Sequence, residues 1–329
     1  MKILHICAGW QPWNGAANIA RMIMDEQRRE GHEVSSAIWA KVRELRTADE
    51  VWIHCGWLSC LWWAALWGRN VHWMPEACYD PVRLRYHGWK KWLVGPIERW
   101  CLRRCAKIVA TCEAEAEWIR AYEPRVKSIE VTDIKRFFNL NPVNPVNPVK
   151  KDLHLLYLGR RHPLKGLSYL ETALATYYNK WSSTPSSLAP TTACADNPSS
   201  NPSRKAATYY NKCPIEFRVV SDAFGDELER VWDWCDVLVL PTLSENFGLV
   251  IAEALERGKC VITTDGAPAW GENLSRVERV DGGMWSGYGG RLIYLKGYRD
   301  GTPEDRVRLL KSAIENLLSR ASLTPPAAK

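Results

Sequence analysis

The sequence alternates short apolar segments with longer segments of helical spacing, and it does so in two separate stretches. In the first stretch, strands are predicted at residues 2–7, 33–39, 51–54, 71–74 and 107–111. In the second stretch, strands are predicted at residues 153–158, 215–220, 237–240 and 261–263. Because helical segments separate these strands, the pattern favours parallel sheets covered by helices. The predicted fold class is therefore α/β, with a sheet in each half.

A chain of 329 residues is long for one core, so two domains are expected. Residues 141–149 repeat Asn-Pro-Val three times, and the prolines exclude a helix or a central strand there. Residues 182–204 lack the large apolar side chains that would order them. The predicted division is a first domain at 1–140, a linker at 141–151, and a second domain at 152–302 that contains a disordered insert at about 181–206. A C-terminal helix and tail are predicted at 303–329.

Charge and cysteine usage exclude several function classes. The formal net charge of +7 is modest and suggests an anionic ligand or a membrane surface more than nucleic acid. Eleven cysteines occur without a Cys-x-x-Cys pair, so no metal site is predicted. No signal-peptide pattern begins the sequence, and the expected location is cytoplasmic with reduced thiols. The most apolar run, 51–67, is short for a membrane span and is interpreted as a buried strand and helix.

A second group of signals lies at 240–264, which is interpreted as strand, acidic loop, helix and strand. Glu245 falls in the loop, Gly248 at the turn, and Glu253 inside the helix. Free amides at a helix start bind phosphate, and nearby carboxylates accept hydrogen bonds from hydroxyl groups. An acid and nucleophile pair as in glycosidases is disfavoured by the spacing. Glu253 alone could equally be a solvated helix residue.

Basic residues follow the first predicted strand of the second half. Arg160 and Lys165 follow the predicted strand 153–158, and ligands of open α/β folds bind at the carboxyl ends of strands. A guanidinium and an ammonium group there could neutralise a diphosphate leaving group. The alternative is a solvated basic turn.

These motifs together resemble the donor-binding domain of retaining GT-B glycosyltransferases, the group 1 or family 4-like class. The matching positions are Gly159-Arg160, Lys165-Gly166, the segment 241–249, Glu253-Ala254-Leu255 and Gly258. The first half resembles the acceptor domain of the same proteins, with Gly15-Ala-Ala after the first strand and Gly31-His32-Glu33-Val34 before the second. The resemblance covers roughly residues 1–130 and 152–290. It implies two Rossmann-like domains facing an interdomain cleft.

The resemblance also implies roles for individual residues. Arg160 and Lys165 would hold the diphosphate, and Glu253 would hold the ribose. The remaining positions, which would contact the sugar or a phosphate of the donor, are Gly15, Glu245, Asn246, Phe247, Gly248 and Leu249.

Two departures from the family pattern affect these expectations. Glu76 stands where relatives carry a histidine near the sugar, so Glu76 and Glu245 are the candidate catalytic residues, although Glu76 could also be a surface glutamate. His54 is a further candidate for the cleft or, equally, a hydrogen-bonded core histidine. Between the Lys165-Gly166 segment and the acidic loop, one strand is predicted where relatives have strand, helix and strand, so the second sheet is expected to be short.

The function implied is transfer of a sugar from a nucleotide diphosphate sugar to a hydroxyl group of a glycan or lipid-linked acceptor, with retention. Cell-surface polysaccharide or lipopolysaccharide synthesis is the expected setting. No metal or other cofactor is expected, since Arg160, Lys165 and the helix start supply positive potential. The alternatives are a non-catalytic protein that binds sugar nucleotides or glycans, and a GT-B nucleotide-sugar epimerase.

A membrane partner is a separate hypothesis. Trp89, Trp92 and Trp100 alternate with lysine and arginine in a predicted helix, a combination that suits an anionic membrane surface. They could instead be core residues, and single-stranded nucleic acid is a lesser alternative. A peripheral position on the inner face of the membrane is therefore expected, without nucleic acid as a partner.

Overall fold

The computed structural model describes residues 1–12, 14–55, 59–86, 88–140, 153–181, 215–221, 223–272, 279–280, 284–287 and 291–323. The predicted Asn-Pro-Val linker and nearly all of the predicted insert lie outside these residues, as does the end of the C-terminal tail.

The first half forms an entirely parallel sheet of six strands in the order β2-β1-β3-β4-β5-β6. Its elements in chain order are β1 Lys2–Cys7, α1 Gly15–Arg29, β2 Glu33–Ala37, α2 Val42–Thr47, β3 Glu50–His54, α3 Ser59–Trp67, β4 Val71–Met74, α4 Pro81–Tyr86, α5 Gly88–Arg104, β5 Lys107–Ala110, α6 Glu113–Tyr122 and β6 Ile129–Val131.

The second half forms a sheet of seven strands in the order β11-β12-β13-β10-β9-β7-β8. The strands β7, β8, β9, β10 and β13 are parallel, while β12 pairs antiparallel with both of its neighbours. The elements are β7 Leu153–Leu158, α7 Leu167–Trp181, β8 Ile215–Val220, α8 Asp226–Trp234, β9 Val237–Leu240, α9 Leu249–Glu256, β10 Cys260–Thr264, β11 Arg279–Val280, β12 Met284–Gly287, β13 Leu292–Leu295 and α10 Pro303–Leu323.

The expectation of a shortened second sheet was wrong. Between α7 and the acidic loop the structure has strand β8, helix α8 and strand β9. Helix α8 was not predicted: of its residues Trp232 is buried, and Leu228, Val231 and Trp234 are partly buried beside it. The segment between α7 and the acidic loop therefore has the strand, helix and strand that are typical of the family.

The last helix packs on the second sheet. Helix α10 lies against α7 and β13. Its buried side chains Leu310, Ala313, Ile314 and Leu317 share a core cluster with α7 and β7. Their spacing of three and four residues places them on a single helical face, so the position follows from burial of that face.

The two halves share apolar contacts as well as facing each other. One core cluster contains Ile23 and Met74 from the first half together with Phe247 and Trp270 from the second. The ring of Phe138 stacks on that of Phe247, with centroids 6.1 Å apart. Burial of apolar surface therefore holds the two sheets together at the point where their loops meet.

Two glycines fix the loops of the second half. Gly166, after β7, has φ +67°, and a Cβ atom there would lie 1.9 Å from the carbonyl oxygen of Pro241. Gly248 begins α9 with φ +73°, and a Cβ atom there would lie 3.2 Å from Cγ of Glu245. Both positions need a left-handed backbone and a close approach, which glycine alone provides without strain.

We expect Gly166→Ala to lower the midpoint of thermal unfolding clearly, because the left-handed backbone costs about 1–2 kcal/mol and the methyl group also collides with the Pro241 carbonyl. The control is Gly31→Ala, at φ +86° with no neighbour within 4 Å of the added atom, which carries the backbone cost alone. Equal shifts for the two variants, measured by calorimetry, would contradict the close approach.

Candidate active site

The predicted site residues gather where the carboxyl ends of the two sheets meet. Glu76 follows β4 and Thr111 follows β5, while Arg160 follows β7 and Glu245 follows β9. In open α/β folds the loops at this edge form the ligand crevice. The cleft between the two halves is therefore lined by loops from both.

An ion pair between Lys165 and Glu245 occupies the second half of the cleft. Lys165 Nζ contacts Glu245 Oε2, and the two side chains are 14% and 15% exposed. Glu245 Oε1 also accepts a hydrogen bond of 3.1 Å from the Asn246 amide. The structure thus brings together two residues that the sequence places 80 positions apart.

Burial and pairing act against each other on these two groups. Burial alone would raise the pKa of Glu245, but the Lys165 ammonium brings it below its usual range. Burial lowers the pKa of Lys165, and Glu245 partly restores it. Because the folded-state pKa of Glu245 is depressed, the stability that this carboxylate contributes is present at neutral pH and is lost as pH falls through that depressed pKa.

Arg160 lies beside this pair with an exposed side chain. Its carbonyl oxygen accepts a hydrogen bond of 2.8 Å from the Tyr157 hydroxyl, which fixes the backbone of the turn after β7. The guanidinium contributes to the electrostatic environment of Lys165. The turn therefore presents two cations next to one carboxylate.

The acidic loop makes contact with the first half. Asn246 Oδ1 accepts a hydrogen bond of 3.0 Å from Thr111 Oγ1, and Leu249 Cδ1 lies 4.0 Å from the point where a Cβ of Gly15 would stand. The ring of Phe247 is buried and packs against that of Trp270, with the ring centroids 5.1 Å apart. The aromatic side chain belongs to the core, so Phe247 can meet a ligand only through its backbone.

Gly248, Leu249 and Glu253 lie on one short helix. Gly248 precedes the first turn of α9, and Leu249 begins that turn. Glu253 lies one turn further, half-buried, and burial raises its pKa. A helix start at Gly248 with a carboxylate one turn later is the arrangement that the sequence predicted.

Glu76 stands on an unusual turn in the first half. Glu76 and Ala77 have φ of +56° and +59°, a conformation that costs non-glycine residues of the order of 1–3 kcal/mol each. The Glu115 carboxylate holds this turn by accepting hydrogen bonds from the Ala77 amide at 2.6 Å and the Thr111 amide at 2.7 Å. Glu76 is 5% exposed, so the alternative of a surface glutamate was wrong.

A buried carboxylate that the sequence did not single out connects the two halves. Asp80 is fully buried and accepts a hydrogen bond of 2.5 Å from Ser244 Oγ in the acidic loop. The Arg299 guanidinium of the second half forms an ion pair with the other oxygen of Asp80. Its side-chain partners Ser244 and Arg299 lie more than 160 residues away in the sequence, so no local pattern points to them.

Arg83 was also missed. From helix α4 its Nε donates a hydrogen bond of 2.9 Å to Ser244 Oγ, and it lies close enough to affect the titration of Glu76, Lys165 and Glu245. Arg83 thus adds a cation from the first half to the two supplied by the second. Its only sequence signal is a position three residues after Asp80, which is too weak to select it.

Metal ligands are not grouped in the part of the chain that is described. No three side chains of His, Cys, Asp or Glu are clustered there as a metal site. Cys7, Cys101, Cys105, Cys112 and Cys235 are buried and form no disulfide. That the reaction needs no metal stays a prediction, which is based on the cations of the cleft.

Comparison with known families assigns both halves of the chain. Residues 152–281 match the family model Glycosyl transferases group 1, and residues 35–132 match the Glycosyl transferase 4-like domain. The chain belongs to the group 1 glycosyltransferases. The recognition made from the sequence motifs is therefore confirmed, and so is the expectation of an enzyme. No curated protein sequence matches this glycosyltransferase.

Solved structures confirm the predicted GT-B fold. HepE from Anabaena in complex with UDP-glucose is 14% identical, with a TM-score of 0.55 over 98% of this chain and 93% of that chain. Sucrose-phosphate synthase from Thermosynechococcus elongatus is 13% identical, with a TM-score of 0.61 over 98% and 91%. WaaG, a glycosyltransferase involved in lipopolysaccharide biosynthesis, is 12% identical, with a TM-score of 0.50 over 98% and 96%.

We expect Asp80→Ala to destabilise the protein by about 3–5 kcal/mol, because it leaves the half-buried Arg299 charge without its carboxylate. The variant should also open the cleft, which small-angle X-ray scattering would detect as a larger radius of gyration. Asp25→Ala is the control, since the Asp25–Arg28 pair is largely exposed and should cost under about 1 kcal/mol. Denaturation curves that do not separate the two variants would contradict the assignment.

Proposed function

We propose that this glycosyltransferase moves a sugar from a nucleoside diphosphate sugar to a hydroxyl group of a glycan or a lipid-linked acceptor, with retention at the anomeric carbon. The observation that carries the proposal is the Lys165–Glu245 pair at the carboxyl ends of β7 and β9. A cation and an ionised carboxylate in contact can serve the two chemically different ends of such a donor.

The diphosphate is the part of the donor that the cations recognise. Lys165, Arg160 and Arg83 surround one ionised carboxylate, so the positive charges exceed the negative charge of Glu245. Fixed cations stabilise the leaving diphosphate as its charge develops, and they do so without reorganising. On this proposal no divalent metal is needed for that purpose.

The sugar is the part that Glu245 recognises. When a phosphate oxygen binds Lys165, the Glu245 carboxylate becomes available to accept hydrogen bonds from sugar hydroxyls. The amides at Gly248 and Leu249 face phosphate at the start of α9, and Glu253 is assigned to the ribose hydroxyls. Gly15 completes the site from the first half, where it approaches Leu249.

Closure of the cleft protects the activated sugar. The hydrogen bond between Ser244 and Asp80 adjoins Glu245 in sequence and crosses between the two halves. Expelling water strengthens the electrostatic contacts within and suppresses hydrolysis. The Asp80 contact would therefore form part of the closed, reactive state.

The neighbouring structures suggest where to begin the search for substrates. HepE was crystallised with UDP and with UDP-glucose, which makes uridine diphosphate sugars the first donors to test. WaaG is involved in lipopolysaccharide biosynthesis, and this supports an acceptor from lipopolysaccharide or another cell-surface polysaccharide. The cytoplasmic face of a membrane is the proposed place of reaction.

We expect Glu245→Ala and Lys165→Ala to lower the rate of UDP release from UDP-glucose by about a hundredfold, because each removes a contact to the donor. The matched control is Arg161→Ala, whose exposed side chain lies in the same turn as Arg160 and pairs with Glu171 instead. Nuclear magnetic resonance of the product would report the anomeric configuration, and activity should persist with a chelator present. If Arg161→Ala lowered the rate of UDP release as much as Lys165→Ala, the result would contradict the proposed site.

Helix α5 is the proposed membrane contact. Trp89 and Trp92 are 71% and 83% exposed, so the alternative that all of these tryptophans are core residues was wrong. Leu93 and Ile97 are exposed on the same helix, and Arg104 lies over the Trp100 ring at 4.9 Å. Exposed aromatic and aliphatic side chains beside arginines suit the headgroup region of an anionic bilayer. Within the described residues, no helix is long and apolar enough to cross a membrane.

We expect the protein to sediment with phosphatidylglycerol vesicles at low salt, and the double variant Trp89→Ala/Trp92→Ala to stay in the supernatant, because it loses the exposed apolar surface. Trp39→Ala is the control, since Trp39 is 55% exposed but follows β2 and stacks on Trp63 of α3, so it is not part of α5. Sedimentation of the double variant at the wild-type level would remove the membrane hypothesis.

A further inference from the structure

A chain of buried polar side chains runs through the first half behind Glu76. His5 Nδ1 lies 2.9 Å from His54 Nε2, and His5 Nε2 lies 2.8 Å from Gln27 Oε1. Both histidines are fully buried, and Gln27 is 8% exposed. The three residues come from β1, β3 and α1, so the chain crosses the sheet toward the cleft.

The end of this chain that faces Glu76 is incomplete. His54 Nδ1 and Glu76 Oε1 are 3.7 Å apart, and neither buried atom has a hydrogen-bond partner among the residues that the structure describes. Two unsatisfied buried atoms facing each other are costly unless they share a proton. A side-chain movement of under about 1 Å would bring them to hydrogen-bond distance.

The direction of the hydrogen bonds follows from the far end. With the Gln27 carbonyl oxygen as acceptor, His5 carries its proton on Nε2 and accepts at Nδ1. His54 then donates from Nε2 to His5, which leaves His54 Nδ1 as an acceptor. The partner that suits this acceptor is a protonated carboxyl group of Glu76.

The histidines remain uncharged. Burial lowers the pKa of His5 to about 4, and burial also brings the pKa of His54 well below its usual value. Gln27 raises the pKa of His5, whereas Arg28 and His72 lower it further. Both rings are therefore neutral at physiological pH, so His54 Nδ1 keeps the lone pair that an acid can bind.

The surroundings of Glu76 also favour the neutral acid. Burial raises the pKa of Glu76 well above its usual range, and only Arg83 among its charged neighbours acts in the opposite direction. The groups that face it are Cys7 from β1, His54 and Cys55 at the end of β3, Arg83 from α4 and Glu115 from α6. Burial raises the pKa of Glu115 as well, while its hydrogen bonds with two backbone amides and one hydroxyl lower it and so favour its charged form.

We propose that His54, supported by His5 and Gln27, is a positioning residue that holds Glu76 as an uncharged acid at the cleft. The proton lies on the oxygen that faces His54, and the other oxygen accepts a hydrogen bond from the substrate. An uncharged acceptor does not repel the diphosphate, as a carboxylate would. The inference rests on the proposed function for its role in catalysis, but the protonation state can be measured without a substrate.

The first experiment is infrared spectroscopy of the full-length protein across pH. A band from a protonated carboxyl group should persist at neutral pH, disappear in Glu76→Gln, and move to higher frequency in His54→Ala, because the hydrogen bond is lost. His54→Asn should keep the band near its original position, since its side-chain oxygen lies close to where Nδ1 was. His72→Gln, a change of another buried histidine of the same sheet, should leave the band unchanged. Absence of the band at neutral pH would overturn the proposal.

The second experiment measures UDP release from UDP-glucose as a function of pH. Glu76→Gln should lose clearly less activity than Glu76→Ala, because its amide can keep both hydrogen bonds of a neutral acid, while Glu76→Ala should lose about a hundredfold. In wild type, activity should fall as pH rises through the raised pKa of Glu76, and this fall should be absent in Glu76→Gln. His54→Ala should lower kcat by about tenfold or more, with less effect on KM.

The two experiments separate the inference from the proposed function. Equal loss of activity in Glu76→Gln and Glu76→Ala would show that a charged carboxylate is required, and the inference would be wrong. If wild type releases no UDP from any donor, the proposed function fails, and the infrared band alone decides whether His54 holds Glu76 protonated.

Discussion

The arrangement of the molecule depends on the requirement that buried charges find partners across the cleft. Asp80 belongs to the first half, but its side-chain partners Ser244 and Arg299 belong to the second. Burying an unpaired carboxylate costs several kcal/mol of desolvation free energy. The contact of Asp80 with the second half therefore restricts which edges of the two sheets can face each other. Glu76, Arg83 and Glu245 line one cleft as a consequence.

Much of the fold could be predicted from the sequence because buried parallel strands consist of short runs of apolar residues. The strands from β1 to β5 and from β7 to β10 were predicted close to their positions, and the motif around Glu245 identified the family. The strands β6 and β11 to β13 were missed. Three of these four lie at an edge of a sheet or run antiparallel to it, where strands are not the continuous apolar runs of a buried parallel sheet.

The site was only partly accessible, for a different physical reason. Arg160, Lys165 and Glu245 lie in local motifs, so their side of the cleft could be anticipated. Arg83 and Arg299 act through contacts with residues far away in the sequence, and a single arginine in a helix carries no local signal. Glu76 and His54 were singled out from the sequence, but the contact between His54 and His5 could be recognised only from the folded structure, in which β1 and β3 lie side by side.

The contact between Lys165 and Glu245 has a consequence for turnover. In the proposed reaction the donor must replace the ion pair between Lys165 and Glu245. Its phosphates take the place of Glu245 at Lys165, and its sugar hydroxyls take the place of Lys165 at Glu245. Once the sugar has left, the remaining nucleoside diphosphate can satisfy Lys165 but offers nothing to Glu245, whose buried charge is then unmatched. Re-formation of the pair competes with the spent nucleotide, so the same two residues discriminate between substrate and product and favour release.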